Sequence, residues 1–320
     1  MIEFFLHGGT LALAWFLLVN LAMSAAVAAG SGWIIRRWTG ADSAAFWFAA
    51  RLLPAAAALF FVGVVFVPSY WKYEPRDFVE GFDITLTALA LGAATLIVAA
   101  FVRGVFAWRG AVRRTRVWMQ SARPLAIAGT GIPVSEIDVD TPLMALVGVL
   151  RPRLIVTRGL VAALTDEELA ASIGHEVGHS RARDNLTRLL MRATPDLLTA
   201  TPAARAIERR WASAAEHRAD RMAADGSPVA RCALASALVK VARLTPVVTP
   251  LAEPISTLID GGEIASRVER LLADATPSAR RRSVVGWTAL GVGAATTAVG
   301  YAPALRFVHT VTELLVHSLP

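Results

Sequence analysis

Within TDEELAASIGHEVGHSRARDN, residues 165–185, His175 and His179 stand four positions apart with Glu176 beside the first. On a helix both imidazoles project from one face, a turn apart, and can reach one tetrahedral zinc at about 2 Å each. Glu176 then projects beside them. It can approach an open coordination position without filling it, as the general base for metal-activated water must. The bland alternative is a surface helix with two histidines. Gly174 and Gly178 argue against that, because each costs about 1 kcal/mol relative to Ala inside a helix. Something should require a bare backbone there, such as close packing against a strand or another helix. A third ligand is available in PAARAIERRWASAAEHRADRMAADG, where Glu216 and Asp220 lie one turn apart. Glu216 can complete a site of two histidines and one glutamate, while Asp220 can accept the outer N–H of a ligating imidazole and fix its tautomer. Glu208 is a rival acid without a carboxylate one turn on, and His217 points about 100° away from Glu216.

These residues need elements to hold them. Thr165 and Glu168 form a capping box, and Asp166 and Glu167 favour the first turn of a helix that runs through His179. After breaks at Pro195 and Pro202, a second long helical pattern stops at Gly226, with Pro202 suited to its first turn. Upstream, VSEIDVD (134–140) alternates like a half-buried strand. LMALVGVL, then RP, then RLIVT reads as two strands joined by a tight turn.

The rest of the chain is unlike a soluble domain. It has 320 residues, 55% of them hydrophobic, with a mean hydropathy of +0.51, and the apolar excess is concentrated in runs. Three runs in residues 1–108, about 11–35, 44–67 and 84–108, each match the ~20 residues needed to cross a bilayer. A fourth covers about 284–305. A cleavable signal peptide is disfavoured, since residues 1–10 carry Glu3 and no Lys or Arg. Arg36 and Arg37 follow the first run, the loop after the second is acidic on balance, and Arg109, Arg113, Arg114, Arg116 and Arg123 follow the third. Arg280, Arg281 and Arg282 precede the fourth. Basic residues mark the cytoplasmic side, so the expected topology has the N-terminus outside, residues 109–283 in the cytoplasm and the C-terminus outside. The expected location is the cell membrane, spanned several times. The expected fold is an integral membrane protein, mainly α, with four transmembrane helices and a cytoplasmic α+β zinc domain built on a small sheet. Residues 284–320 supply the fourth span and a short tail.

The net charge of +7 fits anchoring at anionic headgroups, so the bilayer is an expected partner and nucleic acid is not. Arg51, a few residues into the second run, is expected to snorkel to the cytoplasmic face. Asn20 and Ser24 can bond between helices. The lone Cys232 suits a reducing compartment and is read as a small buried hydrophobe.

HEVGH (175–179) followed by EHRAD (216–220) resembles the HExxH plus ExxxD signature of membrane-embedded gluzincin metallopeptidases. The run from Asp140 to Leu190 is most similar to the peptidase region of the β-lactam sensor-transducer (antirepressor) family, related to HtpX-like proteases and CaaX prenyl endopeptidases. Similarity covers about residues 130–240, with a weaker echo at IASRVERLL. The resemblance implies a Zn2+ site held by His175, His179 and Glu216, with Glu176 as the catalytic base and Asp220 orienting a ligand. Asp184, in RARDN, also matches a family position; a local hydrogen bond near the helix end is the alternative. The strand carrying Ala145, Leu146, Val147 and Gly148 is implied as the edge to which a peptide substrate adds.

Two departures stand out. The stretch between the histidines and Glu216, often aromatic and apolar in relatives, is here interrupted by Arg188, Arg192 and Asp196. Sensor-transducers also continue past the fourth span into an extracellular penicillin-binding domain, whereas this sequence ends at Pro320, so sensing is expected through the spans or a partner. The leading expectation is a regulated endopeptidase that cuts a cytoplasmic repressor or signalling protein. The second is an HtpX-like quality-control protease, and the third a non-enzymatic membrane scaffold with a structural or vestigial zinc helix. A structural zinc is usually closed by a fourth protein ligand. Cys232 is the only thiol available for that and no motif places it there, so an open site is expected.

Overall fold

Residues 1–37, 43–76, 83–127, 130–244, 256–257, 264–273 and 301–316 are described by a computed structural model. Most of the chain is helical. Among the described residues, three helices are long and apolar enough to cross a membrane. The first is α1 (Ile2–Arg37). The second joins α2 (Ala44–Phe60), a π-helical turn (Phe61–Phe66) and α3 (Val67–Tyr73). The third is α4 (Ile84–Gln120), whose first turn is capped by the Asp83 carboxylate accepting from the Thr85 and Leu86 amides. At 36 residues, α1 is about 54 Å long against ~30 Å of hydrocarbon, so it must emerge from the bilayer. The same holds for α4, which runs straight through the domain boundary expected at residue 108. Its emergent part is core: Ala111 is buried with Ile137, Ala145, Val147 and Ile155 of the sheet.

The fourth expected span lies outside the described residues except for 301–305, which open helix α11 (301–316). This helix packs on the first two spans. Ser69 donates to the Leu305 carbonyl at 2.6 Å, and the Trp15 indole to Thr312 Oγ1 at 3.2 Å.

The sheet contains β1 (Ala122–Pro124), β2 (Val134–Ile137), β3 (Met144–Val147), β4 (Arg153–Thr157) and β5 (Ser256–Thr257), ordered β1-β2-β4-β3-β5. β3 and β4 form the expected antiparallel hairpin, whereas β2 runs parallel to β4. β2 stops at Ile137, short of the Asp140 expected from alternation. β3 stops at Val147 because Gly148 turns to φ 88°, a left-handed conformation that leaves the ladder. A Cβ there would lie 2.5 Å from the Arg151 carbonyl oxygen, so the turn demands glycine.

Six helices complete the domain: α5 (Arg158–Ala163), α6 (Asp166–Ala182), α7 (Asp184–Ala193), α8 (Pro202–Ala224), α9 (Pro228–Leu244) and α10 (Ile264–Leu272). α6 begins with the full reciprocal capping box of Thr165 and Glu168. Glu168 is further held by Ser236 at 2.6 Å and Lys240 at 2.7 Å, so the α6 entrance is tied to α9. α8 starts at Pro202 and ends one residue before Asp225, which adopts φ 39° ahead of Gly226. The core beneath the sheet joins Leu154, Val156 and Leu160 to Ile173 and Val177 of α6, Leu234 and Leu238 of α9 and Leu271 of α10.

A second core overturns the expected role of Arg51. Ala44 and Trp47 of α2 are buried with Leu198, Ile207 and Trp211, so the first turns of the second span pack on the region that follows α7. Arg51 does not snorkel. It is 1% exposed and bonds Asp196 at 2.6 Å, Glu208 at 2.9 Å and Thr199 Oγ1 at 2.8 Å. A guanidinium can sit there because these acceptors replace water. Asn20 of α1 likewise donates to the Pro195 carbonyl and accepts from the Leu197 amide. Gly104 of α4 approaches Ala193 so closely that a Cβ would lie 2.8 Å from the alanine methyl. Asp196, one of the polar interruptions after the histidines, is therefore a docking contact with the second span, whereas Arg188 lies over the Trp211 ring of the same region.

Candidate metal centre

The centre is made where α6 crosses α8. Gly174 faces Ala223 and Gly178 faces Ala219, and a Cβ on them would lie 3.5 and 3.1 Å from the opposing Cα atoms. This is the close approach that glycine implied at Gly178, whereas at Gly174 an added methyl would make only ordinary contact. The crossing brings Glu216, one turn before Asp220 on α8, against both histidines of α6.

His175, His179 and Glu216 are each at most 2% exposed, and one ligand atom from each lies within 4.8 Å of the others. The two Nε2 atoms are 3.1 Å apart. Glu216 Oε2 is 3.4 Å from His175 Nε2, and Oε1 is 3.3 Å from His179 Nε2. The outer ring nitrogens are also engaged. His175 Nδ1 meets Asp220 Oδ1 at 2.9 Å, and His179 Nδ1 meets Asp184 Oδ2 at 2.7 Å. Each imidazole thus has its own carboxylate, which fixes the Nε2 atoms toward a common point. Asp184, read as either a family position or a local helix-end contact, bonds the second histidine directly. Its other oxygen accepts from Arg218 at 2.5 Å.

Glu176 is fully buried, and both its carboxylate oxygens lack a hydrogen-bond donor. A buried carboxylate without a partner is costly. Burial lifts its pKa above the ordinary carboxylate range; Glu216 adds to the rise, while the imidazoles and Arg267 oppose it. Burial alone would lower the His179 pKa, but Glu216 and Asp184 outweigh it and push the group up to about 10. For His175, burial and Arg267 act downward, yet Asp220 and Glu216 bring the net shift upward. Burial opposes ionisation of Glu216, which is nonetheless held well below its ordinary range by His179 and Arg267. Two imidazoles, each backed by an acid, facing one carboxylate, beside a second carboxylate, Glu176, that has neither a hydrogen bond nor an ion pair, are chemically suited to a divalent cation with a bound water. The residues fit zinc.

One expectation about the substrate edge needs correction. β3 is not an open edge at Ala145 and Leu146, which pair with Thr257 and Ser256 of β5. Asn185 Nδ2 also donates to the carbonyls of Leu146 and Gly148, at 2.9 and 3.0 Å. The Asn185 amide and β5 thus take the outward-facing groups that a peptide would need. Beside His179 a cavity of about 460 Å³ opens instead, lined by Leu146, Gly148, Leu150, Pro152, Arg183 and Leu186 among others. Cys232 is exposed on α9 rather than buried, and it is not part of the trio. Among the described residues Glu74, His309 and Glu313 form another half-buried trio.

Sequence reasoning missed Arg267. It is 2% exposed on α10, and its Nη1 lies 2.8 Å from Glu216 Oε2. The signal was present in IASRVERLL: Ile264, Arg267, Val268 and Leu271 share one helix face, so the arginine takes a core position.

A mostly helical protein with candidate membrane helices, a small mixed sheet and two histidines and a glutamate converging between helices has the form of a gluzincin-type membrane metallopeptidase. Residues 114–259 match the model of peptidase family M48, whose members are zinc-dependent. The match does not single out a subfamily. No curated protein matches the chain.

Proposed function

We propose that this protein is a membrane-anchored zinc metalloendopeptidase that cuts a regulatory, repressor-type protein on the cytoplasmic side of the cell membrane. What supports the reading is the convergence of His175, His179 and Glu216 around one point, next to a buried Glu176 with no hydrogen-bond donor. In this reading the two Nε2 atoms and a Glu216 oxygen bind the metal. Asp220 and Asp184 hold the imidazoles in the tautomer that exposes Nε2. Zinc, when bound, acidifies water and polarises a peptide carbonyl. Glu176, raised in pKa by burial, takes a proton from that water on a carboxylate oxygen and returns it to the nitrogen of the leaving amine. The cavity beside His179 receives a substrate side chain, and the peptide approaches along the Gly148–Pro152 turn. The spans set the location. The basic Arg36, Arg37 and Arg109–Arg116 cluster supports a peptidase domain in the cytoplasm with both termini outside.

The test uses the full-length protein in detergent or nanodiscs. Purified protein is expected to hold about one zinc per chain, in keeping with a single three-ligand site. Glu176→Gln is expected to keep the metal and lose proteolysis. Proteomes of cells carrying wild type or the Glu176→Gln variant would then differ in one or a few regulatory proteins. Broad accumulation of damaged membrane proteins would favour quality control, and retained cleavage by the variant would remove Glu176 as the base.

A further inference from the structure

We propose that Arg267 is a positioning residue of the metal centre, a clamp that sets Glu216 and Asp220 for metal binding and makes α10 part of the catalytic unit. The inference rests on the metallopeptidase reading and deepens it. Arg267 Nε and Nη2 fork onto the two oxygens of Asp220, at 3.0 and 2.6 Å. Nη1 reaches Glu216 Oε2 at 2.8 Å, and Nη2 lies 3.4 Å from both ring nitrogens of His175. One planar group therefore touches the acid of the trio and the carboxylate that orients the first histidine. A bidentate fork fixes orientation as well as charge, which a point charge on a flexible stem does not.

The pairing is also selective in place. His179 has an analogous chain through Asp184 to Arg218, but the Arg218 side chain is 31% exposed, against 2% for Arg267, and no ion pair joins it to a metal-ligand candidate among the described contacts. The first clamp is sealed and reaches a ligand; the second is half open to water and reaches only the orienting acid. α10 presents Arg267 from the same face as Val268 and Leu271, and Leu271 belongs to the core that includes Ile173 and Val177 of the histidine helix. The guanidinium is thus held in place by apolar packing. Taking it away leaves Asp220 free to rotate off His175 Nδ1 and Glu216 free to swing from the trio.

The test is zinc affinity of the full-length protein, measured by competition with a chromophoric chelator, alongside thermal unfolding of the metal-free form. Arg267→Met and Arg267→Lys are expected to bind zinc ~10–100-fold more weakly, the usual cost of losing a partner behind a metal ligand. Arg270→Met, on the exposed side of the same helix, is expected to bind like the parent. Any residual proteolysis in Arg267→Lys should show a lowered kcat with KM near the parent value. If Arg267→Met does not fold, Arg267→Lys, which keeps the charge and most of the volume, carries the measurement. Parent-like zinc affinity in a folded Arg267 variant, or an equal loss in Arg270→Met, overturns the clamp while leaving the metallopeptidase reading intact. A parent protein that binds no zinc overturns both.

Discussion

Two substitutions one helical turn apart, chemically identical, should act in opposite directions. Gly174→Ala and Gly178→Ala each remove a glycine from the interior of α6, which by helix propensity alone gains about 1 kcal/mol. At Gly174 the new methyl would meet the Ala223 Cα at 3.5 Å and its Cβ at 3.6 Å, ordinary van der Waals contact. The propensity gain survives there, and a domain of this size should melt ~2–4 °C higher. At Gly178 the methyl would meet the Ala219 Cα at 3.1 Å and its Cβ at 3.4 Å. The nearest atom is backbone, so no side chain can swing aside and α8 itself must yield by a few tenths of an ångström. Overpacking of this kind costs about 1–3 kcal/mol, which outweighs the propensity gain. Ala219 lies between Glu216 and Asp220 on α8, so the displacement moves the proposed ligand Glu216 and its neighbour together. Zinc sites tolerate about 0.2 Å in ligand distance, and a shift of that order should weaken binding by at least ~10-fold. The assay is thermal unfolding of both variants with and without zinc, plus chelator competition. If Gly178→Ala melts at or above the parent and binds zinc as tightly, the close crossing of α6 and α8 is not what sets the site.

Asp184→Asn keeps the shape of the group holding His179 Nδ1 at 2.7 Å but not its charge. Zinc affinity should fall ~10–100-fold, measured by the same competition. Arg51→Met leaves the fully buried Asp196 without its cation, and in thermal or denaturant unfolding it should destabilise the protein by about 3–5 kcal/mol. Arg51→Met combined with Asp196→Leu should recover most of that loss, and a double variant no better than the single would remove the pair as the cause. Zinc affinity should rise with pH. The two acids beside His179 raise its pKa to about 10 without metal, so a proton occupies it at neutral pH and zinc must displace it. At least one proton released gives ~10-fold tighter binding per pH unit between pH 6 and 8. A flat profile over that interval would mean the imidazoles are already neutral.

The parts legible in the sequence share one property: their cause is local. Thr165 and Glu168 are three residues apart and cap α6 as their spacing dictates. The i, i+4 pairs on α6 and α8 place four side chains by helix geometry alone. What stayed hidden depends on partners far along the chain. An arginine near the end of an apolar run has the same local pattern whether it snorkels or is buried, and the difference at Arg51 is made by Asp196 and Glu208, 145 and 157 positions away. The edge of β3 looked open because β5 comes from residues 256–257 and because an asparagine can cap a strand as a peptide would. Arg267 is the instructive intermediate. Its position on the apolar face of α10 declared burial, and burial of a guanidinium requires acids. The domain offers Glu216 and Asp220 on a neighbouring helix, themselves buried and in need of a cation. A buried arginine and a buried acidic pair, each costly alone, therefore select one another, and the same selection draws α10 to the centre where α6 and α8 cross.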